Sequence, residues 1–372
     1  MRLATAGTVP NLAVRETKAL QPEKTLAQQT SVIIVAYNSG HFLDECIASI
    51  RRTEPEVEIV VVDSASTDGA VDRVAADFSS VRVVRSKKNL GFGEGSNLGA
   101  ERARGKYLAF LNPDTVVAPG WLNPLVGALR DRPATGLTTS KVLQMDEPDI
   151  VSACGLELHC SGLALARGHG RHRDAFVDSE KVAAISGAAF AIRKDVFLAL
   201  GGFDGDFFLY MEDIDISLRA RVAGYSLLCV PSSVVYHDYT LHFGPRKTFY
   251  QERNRYLVLL KSLRWRSLLV LLPALLLSEV VTWGFVFFRE KKNLSNKLEA
   301  YRWITAHWPA IMEKRMRVQA LRRVRDRDLI AQSASRIPYE QTGTGPLAWM
   351  ARLVFDPLFW VLQNLALLLM WW

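Results

Sequence analysis

What this sequence lacks narrows its reading first. Only four cysteines occur, Cys46, Cys154, Cys160 and Cys229, and no two form a CxxC pair. That spacing offers neither a zinc site nor a disulfide framework, and a reducing compartment is the expectation. Residues 1–29 are mixed and polar, lack the apolar stretch of a secretory signal, and read as a flexible N-terminal segment. A uniform surplus of charge is also missing. The net charge of the 372 residues is +8, yet residues 246–327 alone hold 19 Lys/Arg against 6 Asp/Glu. The rest of the chain is acidic on balance. A regional surplus implies a surface for an anionic partner rather than a basic fold. The hydrophobic fraction is 49%, and long apolar runs are confined to the C-terminal third.

The first two hundred residues alternate strand and helix signals. Thr30–Asn38, Glu58–Asp63, Val81–Val84 and Tyr107–Leu111 are short, apolar and mostly β-branched, with helical spacing between them. That alternation implies an α/β fold with parallel strands and helices on both faces. The strands end in polar residues: Asn38, Asp63, and Asn112 with Asp114 around Pro113. A structural sheet does not require this, and the carboxyl edge of such a sheet is where ligands bind. Carboxylate and amide oxygens there suit Mg²⁺ or Mn²⁺. Asn89–Gly99 is a glycine-rich loop running into a helix. It is not the dinucleotide fingerprint, which belongs to the first βα turn, here Tyr37–Gly40. Residues 142–183 read as short strands and loops near the site, with His169 and His172 as solvated loop residues. Ala184–Ile192 is expected to be a strand that approaches a ligand closely at Gly187.

Glu212-Asp-Ile-Asp215 opens a helix closed by Gly224. Asp215 and Arg219 share a face and form a structural pair, with Glu212 beside them. Asp213 points elsewhere and has no such partner. Three acids this close raise one another's proton affinity, which suits Asp213 to act as a general base.

Taken in order, five motifs resemble those of family-2 glycosyltransferases, the inverting GT-A enzymes that use nucleotide sugars. They are Val32–Asn38, Val61–Gly69, Asn89–Gly99, Asn112-Pro-Asp114, and the late pieces Gly201–Asp204, Glu212–Asp215 and Glu252-Arg-Asn254. The resemblance spans roughly residues 30–265, and its nearest branch is the rhamnosyltransferase type. It implies a GT-A, Rossmann-like mixed sheet flanked by helices over 30–265, and a helical membrane-associating region over 266–372. It further implies that Ala36 and Tyr37 border the nucleobase, that Asp63 accepts from the pyrimidine N3–H, and that Asn38 and Asn112 also bind the nucleotide sugar. Asn89, Gly91 and Asn97 would line the nucleotide pocket. Asn112-Pro-Asp114 stands for the family's DXD motif, with Asn112 in place of the first acid. Asp114 and His237 would be metal ligands for Mg²⁺ or Mn²⁺. Asp213 would be the catalytic base, supported by Glu212, Asp215 and Arg253. The donor would be a dTDP- or UDP-sugar, dTDP-rhamnose foremost, and the acceptor a lipid-linked glycan of cell-surface polysaccharide synthesis. Two rivals stay open: a polyprenyl-phosphate sugar synthase, and a non-catalytic scaffold with a transferase fold.

Ser267–Phe288 is 22 residues with one charge, Glu279, and Leu353–Trp372 is 20 with Asp356 alone. As a helix the first would be about 33 Å long at ~1.5 Å per residue, enough to cross a bilayer core. A span would put the basic residues 289–327 opposite the catalytic residues, against the positive-inside bias. Helices lying in, or dipping into, the cytoplasmic leaflet of the plasma membrane are therefore expected, with the basic segment on anionic headgroups. A buried helix pair forming a homo-oligomer interface is the alternative. Nucleic acid is disfavoured, because the basic residues interleave with Trp303, Trp308 and apolar runs.

Overall fold

A computed structural model describes residues 24–238, 246–289, 291–341 and 346–372. The flexible segment expected over 1–29 lies, up to residue 23, outside the described residues. The first half runs β1 (Thr30–Ala36), α1 (Phe42–Thr53), β2 (Glu58–Ser64), α2 (Ala70–Asp77), β3 (Arg82–Ser86), α3 (Gly91–Arg102), β4 (Tyr107–Leu111), β5 (Thr115–Val117) and α4 (Leu122–Asp131). Then follow β6 (Thr135–Gln144), β7 (Val151–Ala153), β8 (Leu156–Leu158), β9 (Ala164–Ala166), β10 (Glu180–Lys181), β11 (Ala189–Arg193), α5 (Lys194–Ala199), α6 (Glu212–Val222) and β12 (Ser226–His237). The chain ends in helices α7 (Lys247–Ser262), α8 (Trp265–Arg289), α9 (Leu294–Ala306), α10 (Trp308–Ala320), α11 (Asp326–Ile330) and α12 (Pro346–Leu369).

One mixed sheet organises residues 30–237, in the order β10-β12-β6-β11-β4-β1-β2-β3, with β5 on β12 and β7 on β6. Strands β1, β2, β3 and β4 pair in parallel. Every residue of β1 and β4 is buried, as continuous apolar runs covered on both faces should be. Side-chain alternation splits the core in two. Val32, Ile34 and Ala36 meet α1, α2 and α4, while Ile33 and Val60 meet α3, α5 and α6.

Two strands differ from expectation. The strand expected over Ala184–Ile192 begins only at Ala189. It lies antiparallel between β4 and β6, which makes the sheet mixed. Residues 184–188 are a loop, so Gly187 sits at the sheet edge rather than within it. The sequence implies a strand over Tyr225–Pro231 closed by its proline, with Val234–Asp238 following; strand β12 instead runs through Pro231. Its register to β6 shifts between Val230 and Val234, so the proline, which has no N–H, falls in a bulge.

The C-terminal helices form a layer continuous with the sheet domain. Phe207, Ile214 and Leu218 share one apolar cluster with Leu257, Val258, Ile304 and Ile311 of α7, α9 and α10. Helices α8 and α12 pack on each other. Beneath them Glu279 of α8 pairs with Arg255 of α7 and lies 3.2 Å from Lys297 of α9.

Candidate functional site

At the carboxyl edge, β1 stands between β2 and β4, so the chain leaves it toward opposite sides of the sheet. The crevice this opens is the topological switch point of the sheet. On its first side the loops after β1 and β2 lace together. Asn38 Oδ1 accepts from Thr67 N–H at 2.8 Å, and Asp68 accepts from Gly40 N–H at 2.7 Å. Ala36 is buried and Tyr37 is 51% exposed at the rim. Asp63 is buried, with Oδ1 accepting from Ser66 N–H and Oδ2 3.0 Å from Arg85 of β3. Arg85 escaped the sequence reading, because nothing about an edge-strand arginine marks it.

The glycine-rich loop proves to be mostly the first turns of α3. A Cβ on Gly99 would come within 2.5 Å of Ile33, and one on Gly95 within 2.7 Å of Val35, so these glycines let α3 lie close on β1. Asn89 Oδ1 accepts from Gly91 N–H and faces the Ser64 hydroxyl. Asn97 is spent on backbone: its amide exchanges two hydrogen bonds with Phe203. Gly91 has φ +68°, and a Cβ there would sit 2.1 Å from the carbonyl oxygen of Phe208.

On the crevice's other side, β4 ends at Asn112. Thr115 Oγ1 donates to Asn112 O and fixes the Asn112–Thr115 turn. Strand β5 pairs Thr115 with His237 at the end of β12, which brings a residue 123 positions later beside Asp114. His237 Nε2 is 3.2 Å from Asp114 Oδ1 and 3.3 Å from Asn112 Nδ2. Asp114 Oδ1 is buried and has no hydrogen-bond partner among the described residues, so the short approach to His237 is not an aligned hydrogen bond. No cluster of three or more His, Cys, Asp or Glu side chains is arranged around one point among the described residues. The set here is one carboxylate oxygen and one imidazole nitrogen beside an amide. An orphaned carboxylate oxygen facing an imidazole fits a borderline divalent cation with coordination positions left for a ligand.

Asn112 N–H donates to Ala188 O, and the neighbouring Gly187 N–H donates to Asp213 Oδ2 at 3.0 Å. Asp213 therefore stands beside the Asn112 turn at the same edge. Gly187 is the close approach that the sequence implied, but what approaches it is Asp213, 3.2 Å from the position of a Cβ. Ile214 N–H donates to the other carboxylate oxygen. Burial pushes the Asp213 carboxyl up to about 6, with the Gly187 N–H holding it lower than burial alone would. Glu212 is buried beside it and its Oε2 has no partner among the described residues. Burial first, then the Asp213 charge, push Glu212 up to about 8. Both acids therefore hold their protons more tightly than ordinary carboxyls do, Glu212 the more strongly. Asp215 does not join them. It is fully buried and paired with Arg219 at 2.8 Å and Lys261 at 2.6 Å, which makes it structural.

Arg253 does not reach the acid cluster either. Its Nη2 donates to the carbonyls of Asp206 and Phe207, and its guanidinium stacks over Trp303 at 4.6 Å. Asn254, whose role the sequence did not suggest, donates to Phe207 O as well and to two more carbonyls of the same loop, those of Leu209 and Tyr210.

Known proteins share the fold that carries these residues. Residues 31–201 match the family model described as glycosyl transferase family 2. The Mycobacterium tuberculosis (strain CDC 1551 / Oshkosh) protein named N-acetylglucosaminyl-diphospho-decaprenol L-rhamnosyltransferase is 28% identical over 229 residues, 55% of this chain and 75% of its own length. Among solved structures, GalNAc-T7 with UDP, GalNAc and Mn²⁺ superposes with a TM-score of 0.55 at 21% identity, over 76% of this chain and 57% of that one. TarS 1–349 of S. aureus with UDP-GlcNAc gives 0.52 at 16% identity, over 90% of each chain. At these identities the structural likeness is one of fold.

Proposed function

We propose, from the premise that residues 31–201 form a glycosyl transferase family 2 domain, that this protein is an inverting, metal-dependent sugar transferase working at a membrane surface. Residues 30–265 would be its catalytic domain and 266–372 its membrane-associating region. The observation that carries the reading is Asp213: a half-buried carboxylate with raised proton affinity, held by Gly187 N–H beside the Asn112–Asp114 turn.

The mechanism follows from what the substrates lack. A sugar nucleotide already has its leaving group. It needs a deprotonated acceptor hydroxyl and a sink for charge on the departing diphosphate. Asp213 accepts the hydroxyl proton as the oxygen attacks the anomeric carbon from the face opposite the diphosphate. One base and one line of attack give a single displacement with inversion. Asp114 and His237 would hold a divalent cation, whose charge offsets that developing on the leaving diphosphate. The loops of Asn38 and Asp63 receive the nucleobase. Asp63 keeps Arg85 at one oxygen, so a pyrimidine N3–H must share Asp63 with that ion pair.

The acceptor is proposed to be a lipid-linked glycan, and the donor a pyrimidine nucleotide sugar with dTDP-rhamnose foremost. The relative's name supports both. The C-terminal helices support the membrane setting. Helices α8 and α12 contain two stretches long and apolar enough to cross a bilayer, Trp265–Phe288 and Trp349–Leu369. Leu269, Leu272, Leu276 and Val280 form an exposed stripe along α8, and Leu353, Val354, Leu358, Val361 and Leu365 one along α12. Glu279 binds α8 to α7 and α9, so α8 lies against the protein on one side and offers apolar surface on the other. Such a pair lies in the cytoplasmic leaflet, the side on which nucleotide sugars are found, with exposed Trp265, Trp349, Trp360 and Trp371 suited to the headgroup level.

Calorimetric titration with dTDP-rhamnose, UDP-galactose and UDP-glucose, each with Mn²⁺, Mg²⁺ or EDTA, tests the reading. Metal-dependent binding of one donor, weakened by Asp114→Ala, is expected. Absence of binding by any donor, in detergent or with anionic vesicles, would favour a non-catalytic scaffold.

A further inference from the structure

The segment before α6 is folded against its own preference. Phe208, Tyr210 and Met211 have φ of +55°, +65° and +68°. None is Gly, Asn or Asp, the residues that visit this region at low cost. Met211 is also the residue that opens α6, a position usually held by an extended Ser, Thr, Asp or Asn that caps the helix. It offers no cap. Asp213 is the second residue of the helix that follows. Backbone strain at a site persists only where the surroundings over-determine it.

The surroundings do so from two sides. Phe208 O accepts from Phe92 N–H at 3.0 Å, in the space left by Gly91. From the other side comes Asn254 of α7, which is fully buried. Its Nδ2 donates to Phe207 O at 3.0 Å, Leu209 O at 3.0 Å and Tyr210 O at 2.7 Å. Its Oδ1 accepts from Arg253 Nε at 2.9 Å, so Arg253 fixes which face of the amide points to the loop. Without this amide, the half-buried carbonyls of Leu209 and Tyr210 lose their partner and Phe207 O keeps only its other donors, at the place where the backbone is least stable by itself.

We propose that Asn254 is a positioning residue for the transfer reaction: by holding the carbonyls of Phe207, Leu209 and Tyr210 it sets where α6 starts, and so where the Asp213 carboxylate meets Gly187 N–H. The inference rests on the reading of Asp213 as the base. Asn254 touches no reacting atom; it acts through the loop.

The test uses the full chain in detergent with four variants: Asn254→Ala, Asn254→Asp, Met211→Gly, and Asn254→Ala combined with Met211→Gly. Asn254→Asp keeps the size and the acceptor for Arg253 but has no N–H to donate. Glycine at 211 tolerates positive φ without a clamp. Hydrogen exchange of the peptide spanning residues 205–216 is read first, since it depends on no donor. Exchange should rise in both single Asn254 variants and fall back in the double variant. Turnover of dTDP-rhamnose with a prenyl-diphosphate-linked GlcNAc is read second. A kcat lower by about 100-fold, with donor KM within about twofold, is the expected size for a misplaced catalytic group. Met211→Gly should recover about tenfold of that loss. A packing role alone would leave Asn254→Asp at the wild-type kcat, and that result overturns the proposal. Unchanged exchange over 207–211 overturns it as well. If Asp213→Asn keeps full turnover, the base assignment fails by itself, while the exchange data still decide whether the loop is clamped.

Discussion

Two regions of this molecule bury charge in opposite ways. At the sheet edge, Glu212 and Asp213 pair with no cation among the described residues, and their carboxyls are pushed up to about 8 and about 6. Where the helical layer meets the sheet domain, several acids face bases instead. Glu252 and Glu279 face Arg255 and Lys297, and Asp204 and Asp215 face Lys261, with Lys314 also on Asp204. There the same burial ends differently: Arg255 and two tyrosine hydroxyls hold Glu279 down to about 2. Helix α6 contains both kinds two residues apart, in Asp213 and Asp215. A buried charge that is balanced is architecture. One left unbalanced stores proton affinity at a fixed point, which is what a general base requires.

The largest break in that contrast is expected from Asp213→Asn. The change is isosteric and keeps an oxygen for Gly187 N–H. Turnover should fall by about 10³, the usual worth of a positioned base, while calorimetric donor binding stays as in the wild type. Asp215→Asn, two residues on, should do the reverse: lower the melting temperature and leave kcat near normal. If Asp213→Asn keeps its turnover while donor still binds, the acceptor needs no deprotonation. A lipid phosphate would then replace the glycan hydroxyl.

A second break removes balance where it now exists. Glu279→Leu suits the apolar run of α8 by composition, yet it would leave Arg255 and Lys297 to share Glu252 alone. Removing one partner of a buried ion cluster typically destabilises by about 3–5 kcal/mol, and urea unfolding in detergent would read it. A loss under about 1 kcal/mol would instead be the worth of a solvated pair, and α8 would then be less firmly seated on α7 and α9 than these contacts imply.

How legible this was in the sequence follows the same division. Strands β1, β2 and β4 were plain, because apolar β-branched runs ending in Asn38, Asp63 and Asn112 have few other foldings. Asp213 was legible because it lacks a partner at helical spacing, and the Asp215–Arg219 pair because it has one. What could not be read are contacts that depend on tertiary closure. Nothing local reveals that Arg85 reaches Asp63, or that Asn97 turns to Phe203 rather than to the crevice. The glycines at 95 and 99 suggest a ligand loop; they serve helix packing, since a missing Cβ looks the same in sequence whatever fills its place. Glu279 appeared to be an isolated charge in an apolar run. Its partners lie 24 residues before it and 18 after, beyond any helical period.

The smallest expected effect is the most specific to the unbalanced pair. Glu212 has a folded-state proton affinity raised from the ordinary 4.5 to about 8. The protonated form therefore stabilises the fold, fully below about pH 4.5, and that contribution is lost as pH rises toward 8. Glu212→Gln mimics the protonated carboxyl at every pH. Its melting temperature should match the wild type near pH 5 and exceed it increasingly up to pH 8. Activity should respond on a different limb. Asp213 must be ionised to accept a proton, so kcat falls below about pH 6 in both proteins. Glu212→Gln leaves that limb nearly in place, because burial rather than the Glu212 charge is the main cause of the Asp213 shift. Parallel melting curves from pH 5 to 8 would mean that Glu212 is ionised in the fold, with a cation opposite it as Asp215 has in Lys261.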